Sequence, residues 1–221
     1  MQSQKIPPQT PKRIFLVTLI GADGSGKSTV LAALLANSAD LIKVEHGLKP
    51  FYKTRAGDGI WNHAYPPRGS LFSTIKLLFR ALVWRWEYLV RYSPLLAKGN
   101  VLICDRFYFD DIIIDPLKYR YGGPLWLART LRSLLPAPEV YIFLDVPEPM
   151  LMLRKHETTL DELKRLRRAY LGLVHQQPGG YIVDASGPLA EVVWKTQKIL
   201  NEYSHSNKTG ESSMASEKLM P

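Results

Sequence analysis

The sequence predicts an α/β fold, a five-stranded parallel sheet with helices packed on both faces. Three observations predict it. Five short runs, at 14–20, 41–44, 101–104, 140–144 and 181–183, are almost continuously apolar, as strands covered on both faces must be. Stretches of helical length follow at 26–37, 71–98, 147–156, 159–175 and 188–203, and this β-α-β rhythm is that of parallel strands joined by crossovers. The chain has 221 residues, 46% of them hydrophobic, enough to bury one core and short for two.

Each element has its own justification. Lys12 and Arg13 before the run 14–20 superficially resemble a leader, but Gly21-Ala22-Asp23-Gly24 follows where a cleavage site would stand. The run therefore reads as the first strand. Pro147 and Pro188 sit where first helical turns tolerate proline. On the stretch 71–98, Lys76, Arg80, Glu87, Arg91 and Lys98 fall within about 60° of one another, a narrow wet stripe. Arg85 falls opposite, among Leu82, Trp84, Trp86 and Leu89. A charge on a buried face needs a partner or an anionic ligand, so Arg85 is a candidate substrate-phosphate contact, with a buried salt bridge or an arginine reaching around to water as the structural alternatives. Residues 1–12, spotted with Pro7, Pro8 and Pro11, read as a disordered lead-in, 13–203 as one domain, and 204–221, without periodicity, as a disordered tail. No uncharged apolar run reaches 18 residues, so no membrane-spanning helix is expected.

The charge narrows the partners. Lys and Arg number 29 against 20 Asp and Glu, a net +9. Between Leu41 and Gly99 ten basic residues face three acidic ones, and a second excess lies between Arg154 and Arg168. A surplus inside folded segments suits small anionic molecules such as nucleotides, but also nucleic acid, a membrane surface or simply a solvated basic face; with the motifs below, a small molecule is the expected partner and nucleic acid is not. The single cysteine, Cys104, excludes an internal disulfide framework or multi-thiolate metal site and suits a reduced, cytoplasmic setting.

The segment Gly21-Ala22-Asp23-Gly24-Ser25-Gly26-Lys27-Ser28 fits G-x-x-x-x-G-K-[ST], between a strand and the helix begun by Thr29 and Val30. This is a P-loop. Its glycines let backbone N–H groups aim at phosphates, Lys27 should reach the β- and γ-phosphates, and Ser28 should ligate Mg²⁺. Asp105-Arg106-Phe107 ends the strand 101–104, where parallel sheets open their ligand crevice. Asp105 there can hold Mg²⁺ or accept a proton, and Arg106 can neutralise the moving phosphoryl group. Leu144-Asp145-Val146-Pro147-Glu148 leads to Arg154, Lys155 and His156, and Arg165, Arg167 and Arg168 follow. Such cations can close over the donor phosphates, Arg154 as a catalytic candidate, or simply form i,i+3 and i,i+4 pairs with Asp161 and Glu162.

These motifs resemble the thymidylate kinase family of nucleoside monophosphate kinases. The loop from Gly21 to Thr29, with Asp23 in its middle, is similar to that family's phosphate loop. Pro94 to Gly99 with Val101 to Arg106 resembles its helix end, strand and Asp-Arg-aromatic motif. Leu144 to Pro147, Leu163 to Leu171 and Val183 to Ser186 are weaker matches. The resemblance implies a nucleoside monophosphate kinase-like P-loop NTPase fold, ATP as donor, Mg²⁺, and often a homodimer. It also implies that Asp23 faces the acceptor and that Asp105 and Arg106 sit beside the transferred group. The departures concern the acceptor. Glu45-His46-Gly47-Leu48-Lys49-Pro50 replaces the family's arginine-glutamate-proline-glycine turn, and its acceptor-phosphate arginine aligns with Trp84, one residue from Arg85. Phe109-Asp110-Asp111 and Asp115 to Pro124 replace its serine and its tyrosine-glutamine-glycine stretch.

The expected function is phosphoryl transfer from Mg·ATP to a small phosphorylated acceptor, dTMP being the best single choice. The alternatives are another nucleotide or a phosphosugar. A regulatory or membrane-surface P-loop protein is the alternative of another class, motivated by Trp84, Trp86 and the basic excess. A GTPase is disfavoured, because no Asn-Lys-x-Asp motif selects guanine.

Overall fold

The computed structural model describes residues 16–44, 65–154 and 159–209, with side chains described to Ser204. Five parallel strands, β1 (Leu16–Ile20), β2 (Leu41–Val44), β3 (Val101–Asp105), β4 (Val140–Asp145) and β5 (Gly180–Asp184), stand in the order β2-β3-β1-β4-β5. The start of the first expected strand and the stretch 45–50 lie outside the described residues, as do Lys155 and His156.

Alternation along the strands builds a core on each face. Val17 and Leu19 of β1, with Ile103, Ile142 and Leu144, pack against α1 (Lys27–Asn37) and α8 (Leu189–Thr209) through Val30, Leu34, Val192 and Leu200. On the other face Leu16, Leu102 and Cys104 meet α2 (Ser70–Glu87) and α4 (Tyr108–Ile114), while Ile20, Tyr141 and Phe143 meet Leu166, Tyr170 and Val174 of α7 (Leu160–His175). Covering both faces is why the central strands β1 and β4 need no polar side, whereas the edge strands β2 and β5 expose Lys43 and Asp184. α7 starts on a side-chain cap, Thr159 Oγ1 accepting from Glu162 N at 3.3 Å. The last helix runs to Thr209, past the expected end at 203.

Two expectations need revision. The stretch 71–98 is not one uniform helix: α2 passes into a π-helical turn, Tyr88–Tyr92, and then α3 (Ser93–Ala97). Pro94 is the physical reason, since it lacks an N–H and its ring crowds the carbonyl four residues back; a wider turn relieves both. Two helices were also missed, α4 and α5 (Leu125–Leu134), in the segment after Asp105-Arg106. The remaining helix, α6 (Glu148–Arg154), begins behind Pro147.

Candidate active site

The C-terminal ends of β1 and β3 lie side by side, with Leu19 in register with Asp105, so the two chemical motifs face one another. Gly26 caps α1 at φ 85°, a left-handed conformation that any side chain would strain. At Gly21 a Cβ would meet Ser25 Oγ at 2.8 Å and the Leu144 carbonyl at 3.0 Å. The P-loop is therefore shaped by its glycines and backed by β4.

Lys27 is folded into this loop. Its Nζ donates to the carbonyls of Gly21 (2.9 Å) and Ala22 (2.7 Å) and to Ser25 Oγ (3.3 Å). Burial, reinforced by the nearby Arg106 charge, brings its pKa down to about 7 despite Asp23 and Asp105. Next to it, Ser28 Oγ donates to Asp105 Oδ2 at 3.1 Å. The other oxygen, Asp105 Oδ1, is buried with no hydrogen-bond partner among the described residues. A hydroxyl and a carboxylate with a spare acceptor suit Mg²⁺, which takes few protein ligands and completes its octahedron with phosphate oxygens and water. Among the described residues no cluster of three His, Cys, Asp or Glu competes with this arrangement.

Arg106 leaves β3 with φ 75°, a left-handed conformation that costs a non-glycine residue about 1–2 kcal/mol. The inverted backbone, held by Arg106 N donating to the Leu19 carbonyl at 3.0 Å, accompanies a guanidinium turned toward the P-loop. There it pairs with Asp23 Oδ1, lies 3.7 Å from Asp111 Oδ2, and donates to the Tyr170 hydroxyl at 3.5 Å. Lys118 Nζ holds the second Asp23 oxygen at 2.6 Å. Burial alone would raise the Asp23 pKa, but the Arg106 and Lys118 charges outweigh it and hold the carboxyl well below its usual range. Asp111, fully buried, is pushed upward by burial despite Arg106, and it accepts from the Tyr119 hydroxyl at 2.7 Å.

The expected site residues thus converge in part. Asp23, Lys27, Ser28, Asp105 and Arg106 share one face. Arg154, at the end of α6, donates to the Gly24 carbonyl at 3.3 Å and so reaches the P-loop. The other arginines serve the scaffold: Arg167 clasps both Asp145 oxygens at 2.7 Å, and Arg165 takes Glu162 and the Ile114 carbonyl. Arg85 is a correction. It is exposed, together with Leu82 and Trp86; the buried seam of α2 is Ser73, Leu77, Ala81 and Trp84. The helix is apolar on two opposite sides, and the pattern alone does not say which one faces the sheet. Asp111, Lys118 and Tyr119 stand in the sequence only as departures from the family pattern, and Tyr170 only within the matched stretch Leu163 to Leu171; none of them carries a role there. The one available signal for Lys118 and Tyr119 was the departure of Asp115 to Pro124 from the expected pattern.

A family profile described as Thymidylate kinase matches residues 20–196, most of the chain. The chain belongs to the thymidylate kinase family. A thymidylate kinase of Xanthomonas oryzae is 28% identical over 203 residues, covering 84% of this chain and 82% of its own. A probable thymidylate kinase of Methanosarcina mazei is 29% identical, covering 85% of this chain and 96% of its own. Among solved structures, thymidylate kinase from Candida albicans superposes with a TM-score of 0.61 at 20% identity, over 87% of this chain and 94% of that one. The enzyme from Ehrlichia chaffeensis gives 0.56 at 20% identity, over 85% and 98%. Membership in the thymidylate kinase family makes the chain a nucleoside monophosphate kinase-type phosphotransferase with a small-molecule substrate. No described helix is long and apolar enough to cross a membrane.

Proposed function

We propose that this chain moves the γ-phosphoryl group of Mg·ATP to a small phosphorylated acceptor in the cytoplasm, with dTMP the best single acceptor. The observation that carries the reading is the juxtaposition of the Ser28–Asp105 pair, 3.1 Å apart, with the Asp23–Arg106–Lys118 cluster. Donor and acceptor ends of an in-line transfer need such neighbouring sites. When bound, Mg²⁺ supplies charge neutralisation on the donor phosphates, and Ser28 and Asp105 are the side chains that would hold it. Lys27 and the loop amides bind the donor phosphates, Arg154 adds a cation from α6, and Arg106 and Lys118 orient the acceptor phosphate beside Asp23. Tyr170, which is buried, and Tyr119, which is half-buried, bond Arg106 and Asp111 and so shield this cluster from water.

An ADP-release assay with Mg·ATP and dTMP, with Lys27→Ala as the blank, tests this. Lys27-dependent turnover on dTMP supports the reading. Silence on dTMP with turnover on another nucleotide or a phosphosugar keeps the phosphotransferase and replaces the acceptor. No Lys27-dependent turnover with any acceptor would sink the proposal.

The same reading includes a homodimer through the outer face of α2 and the π-helical turn that follows it. Phe72, Ile75, Phe79, Leu82, Trp86 and Val90 are all more than half exposed, and monomers rarely leave so contiguous an apolar strip to water. Sedimentation of the wild type and Leu82→Glu checks it: the wild type should run as a dimer and the variant as a monomer. Salt-sensitive cosedimentation of a monomer with anionic vesicles would instead assign this strip to a membrane surface.

A further inference from the structure

The two cations that face Asp23 come from separate parts of the chain, and one buried carboxylate ties them together. Arg106 stands at the end of β3, and Lys118 lies in the turn that follows α4. Their side chains meet on opposite oxygens of Asp23, so both positive ends are within reach of a single small anion. Holding them there strains the backbone on both sides. Among the described residues the only non-glycine residues with positive φ are Arg106, at 75°, and Arg120, at 50°, just past Lys118.

Asp111 of α4 is the tie. Its Oδ2 lies 3.7 Å from Arg106 Nη1 and accepts from the Tyr119 hydroxyl at 2.7 Å. Tyr119 adjoins Lys118, and the turn that carries both is fixed by its own bonds. Lys118 N donates to Asp115 Oδ1 at 3.2 Å, while Arg120 N and Tyr121 N donate to the carbonyls of Leu117 and Pro116 at 2.8 Å. Arg68 Nη1 holds the Tyr119 carbonyl at 3.2 Å. A shift at the Tyr119 hydroxyl is therefore a shift at Lys118.

Asp110, the preceding residue, supplies the contrast. Both of its oxygens are bonded, Oδ1 by Arg132 and Oδ2 by the Tyr141 hydroxyl. Asp111 is as deeply buried, yet its Oδ1 has no hydrogen-bond partner among the described residues. A carboxylate kept in such a place costs stability that a neutral side chain would not. Its charge has a use at Arg106, where it faces Nη1 while Nη2 turns to Asp23. Of the two carboxylates Asp111 is the fixed one, because Asp23 is partly open to solvent and can give way to a phosphate.

We propose that Asp111 and Tyr119 are positioning residues for acceptor binding, holding Arg106 and Lys118 a single phosphate's width apart. The inference rests on the phosphotransferase reading above and deepens it. It asks nothing of the acceptor beyond one phosphate, which spans the two cations as the Asp23 carboxylate does in the free protein.

Titration calorimetry on the full chain tests it, with the donor site filled by Mg²⁺ and a non-hydrolysable ATP analogue. The probes are dTMP and inorganic phosphate; the variants are Tyr119→Phe, Asp111→Asn and, as a control, Asp110→Asn. Thermal melts verify folding. Tyr119→Phe keeps the ring and loses one hydroxyl, so it decides alone should Asp111→Asn not fold. Tyr119→Phe and Asp111→Asn should each weaken every probe that the wild type binds by about tenfold or more, as displaced cations forfeit charge-assisted hydrogen bonds. Affinity for the ATP analogue should stay within about twofold, and Asp110→Asn should lower the melting temperature while leaving the affinities in place. Binding of neither probe to the wild type, unchanged probe affinity in the folded variants, or an equal loss for the ATP analogue or in Asp110→Asn would overturn the proposal. Lys27-dependent ADP release decides the phosphotransferase reading separately. Turnover with unchanged affinities keeps that reading and removes this one; Tyr119-dependent phosphate binding without turnover does the reverse.

Discussion

At the scale of single residues, Lys27 has the sharpest consequences. In the folded chain its ammonium is buried and its pKa lies at about 7, against 10.5 for the free side chain. Between those values the unfolded chain binds more protons than the folded one, so stability rises with pH across that window and is lost as pH falls through about 7. Apoprotein melting temperatures should therefore climb more from pH 7 to pH 10 in the wild type than in Lys27→Met; equal slopes would refute the buried, depressed lysine. Phosphates restore the charge. At pH 8 donor binding should take up nearly one proton, about 0.9 for a pKa near 7, visible as a binding enthalpy that changes with the buffer's ionisation heat. Lys27→Met should lose this dependence. Arg106 makes a different kind of prediction, because its backbone is left-handed. Arg106→Gly relieves that strain and Arg106→Ala does not, so the glycine variant should be the more stable in urea by about 1 kcal/mol, though both lose turnover.

At the scale of elements, two helices decide how the site is walled. α2 uses one side, Ser73, Leu77, Ala81 and Trp84, to close the core, and Trp84 Nε1 donates to the Pro136 carbonyl at 2.9 Å. Its opposite side remains open, which is why Trp84 is core and Trp86, 68% exposed, is not. α4 carries a buried polar knot on its inner side: Asp110 accepts from Arg132 of α5 at 2.9 Å and from the Tyr141 hydroxyl of β4 at 2.9 Å. Arg132 also donates to Gln177 beyond α7. Asp110 is 2% exposed, and burial raises its pKa even against Arg132. Removing one partner of a buried pair leaves the other uncompensated, so Asp110→Ala should cost about 3–5 kcal/mol in urea unfolding. A loss under 1 kcal/mol would mean that water replaces the carboxylate.

At the scale of the whole molecule, the sheet order places the P-loop strand in the middle, with β3 on one side and β4 on the other. The donor loop is therefore flanked by the two strand ends that supply Asp105 and Asp145. Asp105 stays available beside Ser28, whereas Asp145 is consumed in fixing α7 through Arg167. On the proposed function, that division makes Asp105 a residue of the reacting centre and Asp145 a residue of the scaffold. Asp105→Asn should cut turnover by about a hundredfold or more with little change in melting temperature, as loss of a charged ligand in the reacting centre would. Asp145→Asn should do the reverse, lowering stability more than kcat. Steady-state kinetics beside thermal melts of the two variants check the assignment, and equal effects on turnover would refute it.

The sequence by itself determined the elements whose signal is local or periodic. Glycines at fixed spacing before Lys27-Ser28 mark a phosphate loop, and continuous apolar runs mark strands buried on both faces; neither depends on what packs against it. It also located Asp105 and Arg106, because a strand end in a parallel sheet is a position as well as a pattern. Only the tertiary structure decided which side of α2 is inside, because two apolar faces satisfy the same periodicity and the sheet chooses between them. It likewise decided that Lys118 reaches Asp23, across 95 positions of sequence, and that Arg167 is spent on Asp145 while Arg154 reaches Gly24. A lysine or arginine has one sequence signature whether it binds a ligand, a carboxylate or water. Its partner is fixed by three-dimensional proximity, which residue type and spacing do not encode.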